Sequence, residues 1–335
     1  MQRMIDRTDH LTARAHETKG RQQLRRADRR TGVRPTILLS PRALTLPGSY
    51  PGKRFWNTLK ESVESYDLLR SKGHNIRILR SSSEGKGAQE FIKFMFTEEL
   101  ERKRPGSTLS LDIHDEQSDA IMWPRDRFQI YGDLIFSQPE SKYDTRKILN
   151  ALGFPPSVVI EKSVLGEGGL VVRAGKTLIV SEAARNRGIR RGEIECLEHR
   201  GYEIHFLPAM SDTDILCLNR RKDPEDHIDT EFGLALTRGG NALACVNPYY
   251  YSVFRKQVDR VVKRIGALLY VAPEGTMAIN FISLPKGKVI ISDHCASTTH
   301  FLERNLGASN VTAIKVNPAI YSKGGGLRCM SNVIE

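Results

Sequence analysis

The sequence contains no apolar run near the ~18 residues needed to span a bilayer, which predicts a soluble protein. It has few cysteines, five in 335 residues: Cys196, Cys217, Cys245, Cys295 and Cys329. The number is odd and no pair has CxxC spacing, so neither a disulfide framework nor a zinc or redox site is indicated. Only one histidine stands beside acids in motif form, so no metal and no cofactor is expected. Residues 1–34 lack the apolar core of a signal peptide, and a reduced, cytoplasmic protein is the expectation. Hydrophobic residues at 39% and charged residues at 27% exclude a disordered chain.

The formal net charge is +12, and it is unevenly spread. Residues 1–34 carry ten Lys/Arg against four Asp/Glu, a net of +6. This segment is expected to be a flexible or helical basic extension, with residues 35–335 forming one catalytic domain. The extension lacks interleaved aromatics, so nucleic acid is an unlikely partner beyond non-specific contact by charge, which salt would abolish. No membrane partner is indicated. Self-association as a homo-oligomer is compatible with the sequence.

Beyond Pro35 the chain repeats loosely as strand, tight turn, strand, helix, strand. The turn glycines Gly132, Gly175, Gly240 and Gly287 are spaced 43, 65 and 47 residues apart, the long gap reflecting an insertion at 208–227. One unit runs from Ala120 through Gly132 to Leu134–Phe136, the helix Lys142–Leu152 and the strand Ser157–Glu161. The next has strands Gly169–Val172, Thr177–Val180 and Glu203–Leu207, with a helix over Glu193–Arg200. A third has Phe232–Thr237, Ala242–Val246, the helix Val253–Ile265 and Ala267–Val271. A fourth has Ala278–Leu284, Lys288–Ile291, the helix Thr299–Leu306 and Val311–Val316. A fifth would be split: the segment from Leu327 supplies its first strand, and Thr36–Ser40, the helix Lys53–Lys72 and Asn75–Leu79 supply the rest. Each unit alone exposes an apolar face, so stacking units into a closed ring is the natural solution. The alternative is an open α/β sheet.

Polar residues recur near the first strand of these units. Asp126 lies in Trp123-Pro124-Arg125-Asp126, Glu167 in Gly166-Glu167-Gly168-Gly169, His227 and Asp229 in Asp226-His227-Ile228-Asp229-Thr230. Cys329 follows Gly324-Gly325-Gly326-Leu327-Arg328. If equivalent strands line a common axis, one thiol, one imidazole and three carboxylates converge. That set suits a thiolate attacking a cationic planar carbon, with a proton shuttle and a carboxylate clamp. Carboxylates raise the cost of ionising a nearby thiol, and a bound cation reverses that effect.

Together, the Trp-x-Arg-Asp, Glu-Gly-Gly, His-x-Asp and Gly-Gly-Gly-x-x-Cys motifs resemble the guanidino-group-modifying superfamily over about residues 35–335. Its members include arginine deiminases, agmatine deiminases, dimethylargininases and amidinotransferases. The resemblance implies the α/β pentein fold, five ββαβ units around a pseudo-fivefold axis. It implies Cys329 as nucleophile, His227 as general acid/base, Glu167 as the orienting group, and Asp126 and Asp229 as holders of the guanidinium. The implied activity is hydrolysis of arginine or a related small guanidine through an amidino-thioether, of deiminase or dihydrolase type. An amidinotransferase is the alternative, and a non-catalytic pentein binding protein a second. Lys323 stands where many arginine deiminases have Arg, and Leu170 where an acidic or hydroxyl residue is often found, so the substrate-carboxylate site is open. Lys323 and Arg328 are its candidates, or they face solvent.

Each residue also has a plainer reading. Cys329 could be a buried structural thiol, His227 the brace of a turn, Asp126 a surface ion pair, and Glu167 part of an ordinary turn. Asn280 occupies the equivalent place in the fourth unit and reads as structural. Tyr249-Tyr250-Tyr251 reads as packing at the start of a helix.

Overall fold

This computed structural model describes residues 36–39, 64–81, 113–115, 125, 128–138, 158–160, 162–210, 227–316, 326–329 and 331–334. The basic segment 1–34, Cys217, the helix expected over Lys142–Leu152, most of the 208–227 insertion, Asp126 and Lys323 lie outside them.

Sixteen strands form five separate sheets among the described residues, not one open sheet. One sheet holds β4 (Phe128–Tyr131), β5 (Leu134–Ser137) and β6 (Val158–Ile160). The next holds β7 (Val171–Ala174), β8 (Thr177–Ser181) and β9 (Glu203–Leu207). A third holds β10 (Phe232–Leu236), β11 (Ala242–Val246) and β12 (Leu268–Val271). A fourth holds β13 (Ile282–Leu284), β14 (Lys288–Ser292) and β15 (Val311–Ile314). In all four, the first two strands pair antiparallel and the third joins the second in parallel. The parallel step requires a crossover, and helices Arg191–His199, Pro248–Arg264 and Ala296–Leu306 lie in three of them.

The fifth sheet joins distant parts of the chain. β16 (Ser331–Ile334) pairs antiparallel with β1 (Thr36–Leu39), which pairs parallel with β2 (Asn75–Ser81). The pattern is the same as in the other four sheets. Parallel β3 (Ile113–Asp115) extends this sheet by a strand that the repeat did not anticipate.

Local chemistry explains the elements. Gly132 and Gly175 lead the two-residue hairpin loops β4–β5 and β7–β8 with φ of +67° and +57°, a conformation that suits the twist of the flanking strands. Asn247 caps the helix Pro248–Arg264 by accepting from Tyr249 N at 3.0 Å, and Pro248 takes the first turn, where no N–H is needed. The helix thus begins ahead of Val253, where Tyr249-Tyr250-Tyr251 reads as a helix start. Glu193 accepts from Arg190 N at 3.1 Å and sets the start of Arg191–His199.

Some expectations are corrected. Residues Thr276–Ile279 are helical, so the strand expected from Ala278 begins at Ile282. Residues Gly168–Leu170 form a 3-10 turn, so the strand expected from Gly169 begins at Val171. Cys245 and Cys295 are buried, whereas Cys196 is half-buried, and Arg200 Nη1 approaches its sulfur at 3.2 Å.

Burial runs inward along each unit. Strands β10 and β11 are almost wholly buried, while β12 is half-exposed along its length. First strands of different sheets pack against one another: β7 on β10, β10 on β13, and β16 on β4. Three apolar clusters fill the described interior, one of them centred on Phe232, Val246 and Tyr250. Tyr250 is fully buried and its hydroxyl donates to the Pro208 carbonyl at 2.6 Å, in line with the packing role read from the sequence.

Gly287 is at φ +72°, and an added Cβ would stand 3.0 Å from Arg238 N. Gly287→Ala is therefore expected to cost more than the ~1 kcal/mol of left-handed strain alone. The check is urea unfolding: a lower midpoint with an unchanged slope is expected.

Candidate active site

Five of the seven candidate residues, Cys329, His227, Glu167, Asp229 and Arg328, lie among the described residues. Cys329 follows Gly326 into β16 and is 2% exposed. Its Sγ lies 3.2 Å from Asp229 Oδ2, at donor distance for a thiol proton. Asn280 Nδ2 donates to the same sulfur at 3.1 Å and to the Asp229 carbonyl at 3.2 Å. Asn280 Oδ1 in turn accepts from Arg328 N at 2.7 Å and Cys329 N at 3.3 Å. One amide thus fixes the Cys329 backbone, its sulfur and the turn that carries Asp229. Gly326 permits this approach, because a Cβ there would stand 2.6 Å from Asn280 Oδ1.

Asp229 lies in the 3-10 turn Ile228–Thr230, directly before β10. It is 0% exposed, and its Oδ1 has no hydrogen-bond partner among the described residues. A buried carboxylate oxygen without a donor is costly and marks a place where an N–H group is wanted.

His227 caps the same turn, and its Nε2 lies 2.7 Å from Glu167 Oε1. The imidazole is packed over the Gly166-Glu167-Gly168-Gly169 loop. A Cβ on Gly169 would stand 2.2–2.5 Å from three atoms of the His227 ring, so the close approach depends on glycine. Glu167 also accepts from Arg187 Nη1 at 3.0 Å, with Arg187 Nη2 at 2.9 Å from its other oxygen, and from Gln138 Nε2 at 3.3 Å. Burial alone would raise the Glu167 pKa. The hydrogen bond and charge of His227, joined by Arg187, outweigh burial and hold the carboxyl below its ordinary value.

Arg328 is 4% exposed, which corrects the solvent-facing reading. Its Nη2 donates to the Val171 carbonyl at 2.7 Å, and its Nη1 is 3.9 Å from Asp229 Oδ2. Arg125, beside Asp126 in sequence, is also buried and donates from Nε to the Arg328 carbonyl at 3.0 Å. Asp126 and Lys323 themselves lie outside the described residues.

Two contributors escaped the sequence, and a third, Asn280, has a more specific role than the structural one read for it. Arg187 and Gln138 reach Glu167 from 20 and 29 residues away, and no local pattern signals either. Asn280 was read as structural, and its bonds give that structure a focus at the thiol. Its position before a first strand, equivalent to the other candidates, was the available signal.

No protein-family model matches the chain, and no curated protein matches it. Solved structures do. A dimethylarginine dimethylaminohydrolase from Pseudomonas aeruginosa, complexed with citrulline, superposes with a TM-score of 0.51 at 18% identity, covering 89% of this chain and 98% of that one. The amidinotransferase SxtG from Microseira wollei gives 0.51 at 16% identity over 88% of this chain and 92% of that one. The chain has the pentein fold. A cyanobacterial arginine dihydrolase, ArgZ, gives a TM-score of 0.50 at 11% identity, covering 90% of this chain and 40% of that one. At these identities the likeness is one of fold, and the pentein chain's chemistry must be argued from its own residues.

The low Glu167 pKa has a stability consequence with a definite sign. A carboxyl whose native pKa is depressed stabilises the fold above its ordinary value, 4.5, and loses that contribution as pH falls through the native value. The stability advantage of the native chain over Glu167→Gln should therefore shrink on acidification in that window. Chemical unfolding of both proteins across that pH range measures it.

Proposed function

We propose that this pentein protein is a guanidino-modifying enzyme that hydrolyses arginine or a related guanidine through an amidino-thioether on Cys329. The observation that carries this reading is the state of Asp229. One of its oxygens meets the Cys329 thiol at 3.2 Å, and the other is buried without a donor. A planar cation with N–H groups fits that vacancy, and docking it there sets its central carbon beside sulfur. His227, two residues before Asp229 and bonded to Glu167, supplies the proton transfer.

In this reading the five sheets are ββαβ units arranged about a pseudo-fivefold axis lined by their first strands. Glu167, His227 and Asp229 then enter from the turns before β7 and β10, Cys329 from the residues before β16, and Asp126 from those before β4.

The steps balance as follows. His227 takes the Cys329 proton, and the thiolate bonds to the guanidinium carbon, pushing the C–N π electrons onto nitrogen. The tetrahedral species collapses as one C–N bond breaks. The leaving nitrogen keeps that electron pair and takes the proton from the His227 imidazolium. An amidino-thioether remains. Water then gives a proton to His227 while its oxygen bonds to the same carbon. Cleavage of the C–S bond returns its electron pair to sulfur, the C–OH proton passes to that thiolate as the ureido C=O forms, and His227 releases its proton to solvent. Asp229, with Asp126, holds the cation throughout, and Glu167 holds the imidazole in line.

The test is a panel of arginine, agmatine, methylated arginines, guanidinoacetate and peptidyl arginine, scored for ammonia, ureido product and amidino transfer to added amines. Ammonia or an alkylamine with a ureido product supports hydrolysis. Transfer to an amine instead would identify the amidinotransferase chemistry that shares the covalent step. Cys329→Ser is expected to remain folded and lose turnover. Acid quench of the native enzyme should add an amidino mass to the Cys329 peptide. A label on Cys196, Cys217, Cys245 or Cys295 would reassign the nucleophile. Full turnover by folded Cys329→Ser would overturn the mechanism.

Asp229→Asn is expected to raise KM and lower kcat together, because the carboxylate both binds and aligns the cation. Loss of a charge-assisted pair at a buried site corresponds to about 100-fold or more in kcat/KM, using 1.4 kcal/mol per decade. Steady-state kinetics unchanged in both parameters would remove Asp229 from the site.

A further inference from the structure

Two guanidinium groups are buried around the proposed nucleophile, and the hydrolytic mechanism above uses neither. Arg328 Nη1 has no hydrogen-bond partner among the described residues and stands 3.9 Å from Asp229 Oδ2. That same oxygen is 3.2 Å from Cys329 Sγ. Thiol and cation therefore share one carboxylate oxygen. Arg125 is tied to this group through its 3.0 Å bond to the Arg328 carbonyl. Both arginines are more than nine-tenths buried.

The charges acting on this cluster among the described residues come from several elements. Asp229 approaches from the turn before β10, Arg328 from the residue before Cys329, and Arg125 from the chain before β4. Arg173 on β7 and the Tyr131 hydroxyl on β4 also act on the two arginines. Asn280 is neutral, and His227 with Glu167 precedes the Asp229 turn. With the thiol neutral, and with Asp126 outside the described residues, two buried cations face one buried anion. Ionising Cys329 brings those four groups to balance.

The strain on the cations points the same way. Burial, and then the adjacent charge of Arg328, push Arg125 down to about 9, while Asp229 and Cys329 act in the opposite direction. Burial also lowers Arg328, against the pull of Asp229 and Cys329. The other buried thiols lack such company. Burial, followed by the carboxylates Glu274 and Asp293, pushes Cys295 up to about 12. Burial and Glu274 push Cys245 up further.

We propose that Arg328 and Arg125 are positioning residues that hold Asp229 and supply the buried counter-charge on which ionisation of Cys329 depends. The inference rests on Cys329 being the nucleophile, but it concerns the free protein and needs no substrate. It replaces substrate-carboxylate binding as the role of Arg328.

The experiment is alkylation of the full chain with iodoacetamide from neutral to alkaline pH, with Cys329 and Cys295 followed separately by peptide mass. Cys329 is expected to have the lower midpoint. Arg328→Gln and Arg125→Gln should each raise the Cys329 midpoint by about one pH unit or more, roughly tenfold less thiolate at a fixed pH below it. The Cys295 midpoint should not move. Arg125→Lys, which keeps the charge, should stay closer to the native value than Arg125→Gln. Folded glutamine variants with a native Cys329 midpoint would overturn the proposal. If those variants do not fold, the native protein decides: a Cys329 midpoint at or above that of Cys295 overturns it, and a lower one supports it. A protein inert on every guanidine that still shows the arginine-dependent midpoint would count against the hydrolase reading alone.

Discussion

A carboxylate with no water around it must find its partners inside the protein, and Asp229 imposes that demand on everything near it. Taking such a charge out of water costs several kcal/mol even after relaxation. The chain meets the cost from three sheets. Cys329 and Arg328 approach one oxygen from the segment before β16, Asn280 holds the backbone of the same turn from the segment before β13, and Arg125 backs Arg328 from the segment before β4. None of these segments is close to Asp229 in sequence. The sheets that carry them are therefore held together by polar satisfaction at the centre as well as by apolar packing.

The second carboxylate shows the opposite balance. Glu167 is 6% exposed, yet every one of its oxygens is met: His227 and Arg187 on Oε1, Arg187 and Gln138 on Oε2. Its charge is stabilised, and it sits as a fixed anion beside an imidazole. Asp229 keeps one oxygen in reserve. Two carboxylates in similarly buried turns are thus set to different chemistry by their donors alone. The difference is between a full and an unfilled set of hydrogen bonds.

Much of this architecture was legible in the sequence because it follows from short-range rules. The hairpin glycines Gly132, Gly175, Gly240 and Gly287 all take positive φ, as tight turns between period-2 strands require. The strands Glu203–Leu207 and Ala242–Val246 begin and end where their apolar pattern does. The split unit was readable because an unpaired strand at each end of a repeating chain has one natural partner, and β16 does pair with β1. What failed was local in a different sense. Thr276–Ile279 reads as apolar continuation into a strand, but Gly275 at φ +68° has already turned the chain, and a short helix satisfies the backbone before β13. The partners of Glu167 were illegible because arginine and glutamine are common, and their significance arises only from where the fold sets them.

The glycine-rich motifs join the two levels. At Gly169 and Gly326 the absent Cβ is the space occupied by another residue's functional end, the His227 ring in one case and the Asn280 amide in the other. A glycine in a sequence is ordinarily read as a turn, and the flanking 3-10 geometry at Gly168–Leu170 supports that reading. Yet neither Gly169 nor Gly326 has positive φ, so an alanine backbone would be unstrained at both. Conformational freedom therefore does not explain these two positions. Close approach does: the chain has to pass within van der Waals contact of a polar side chain that must not move. The Glu-Gly-Gly and Gly-x-x-Cys motifs thus encode the spacing between segments that are 58 residues apart in one case and 46 in the other. Among the described residues, that spacing is what lets side chains from the segments before β7, β10, β13 and β16 come together.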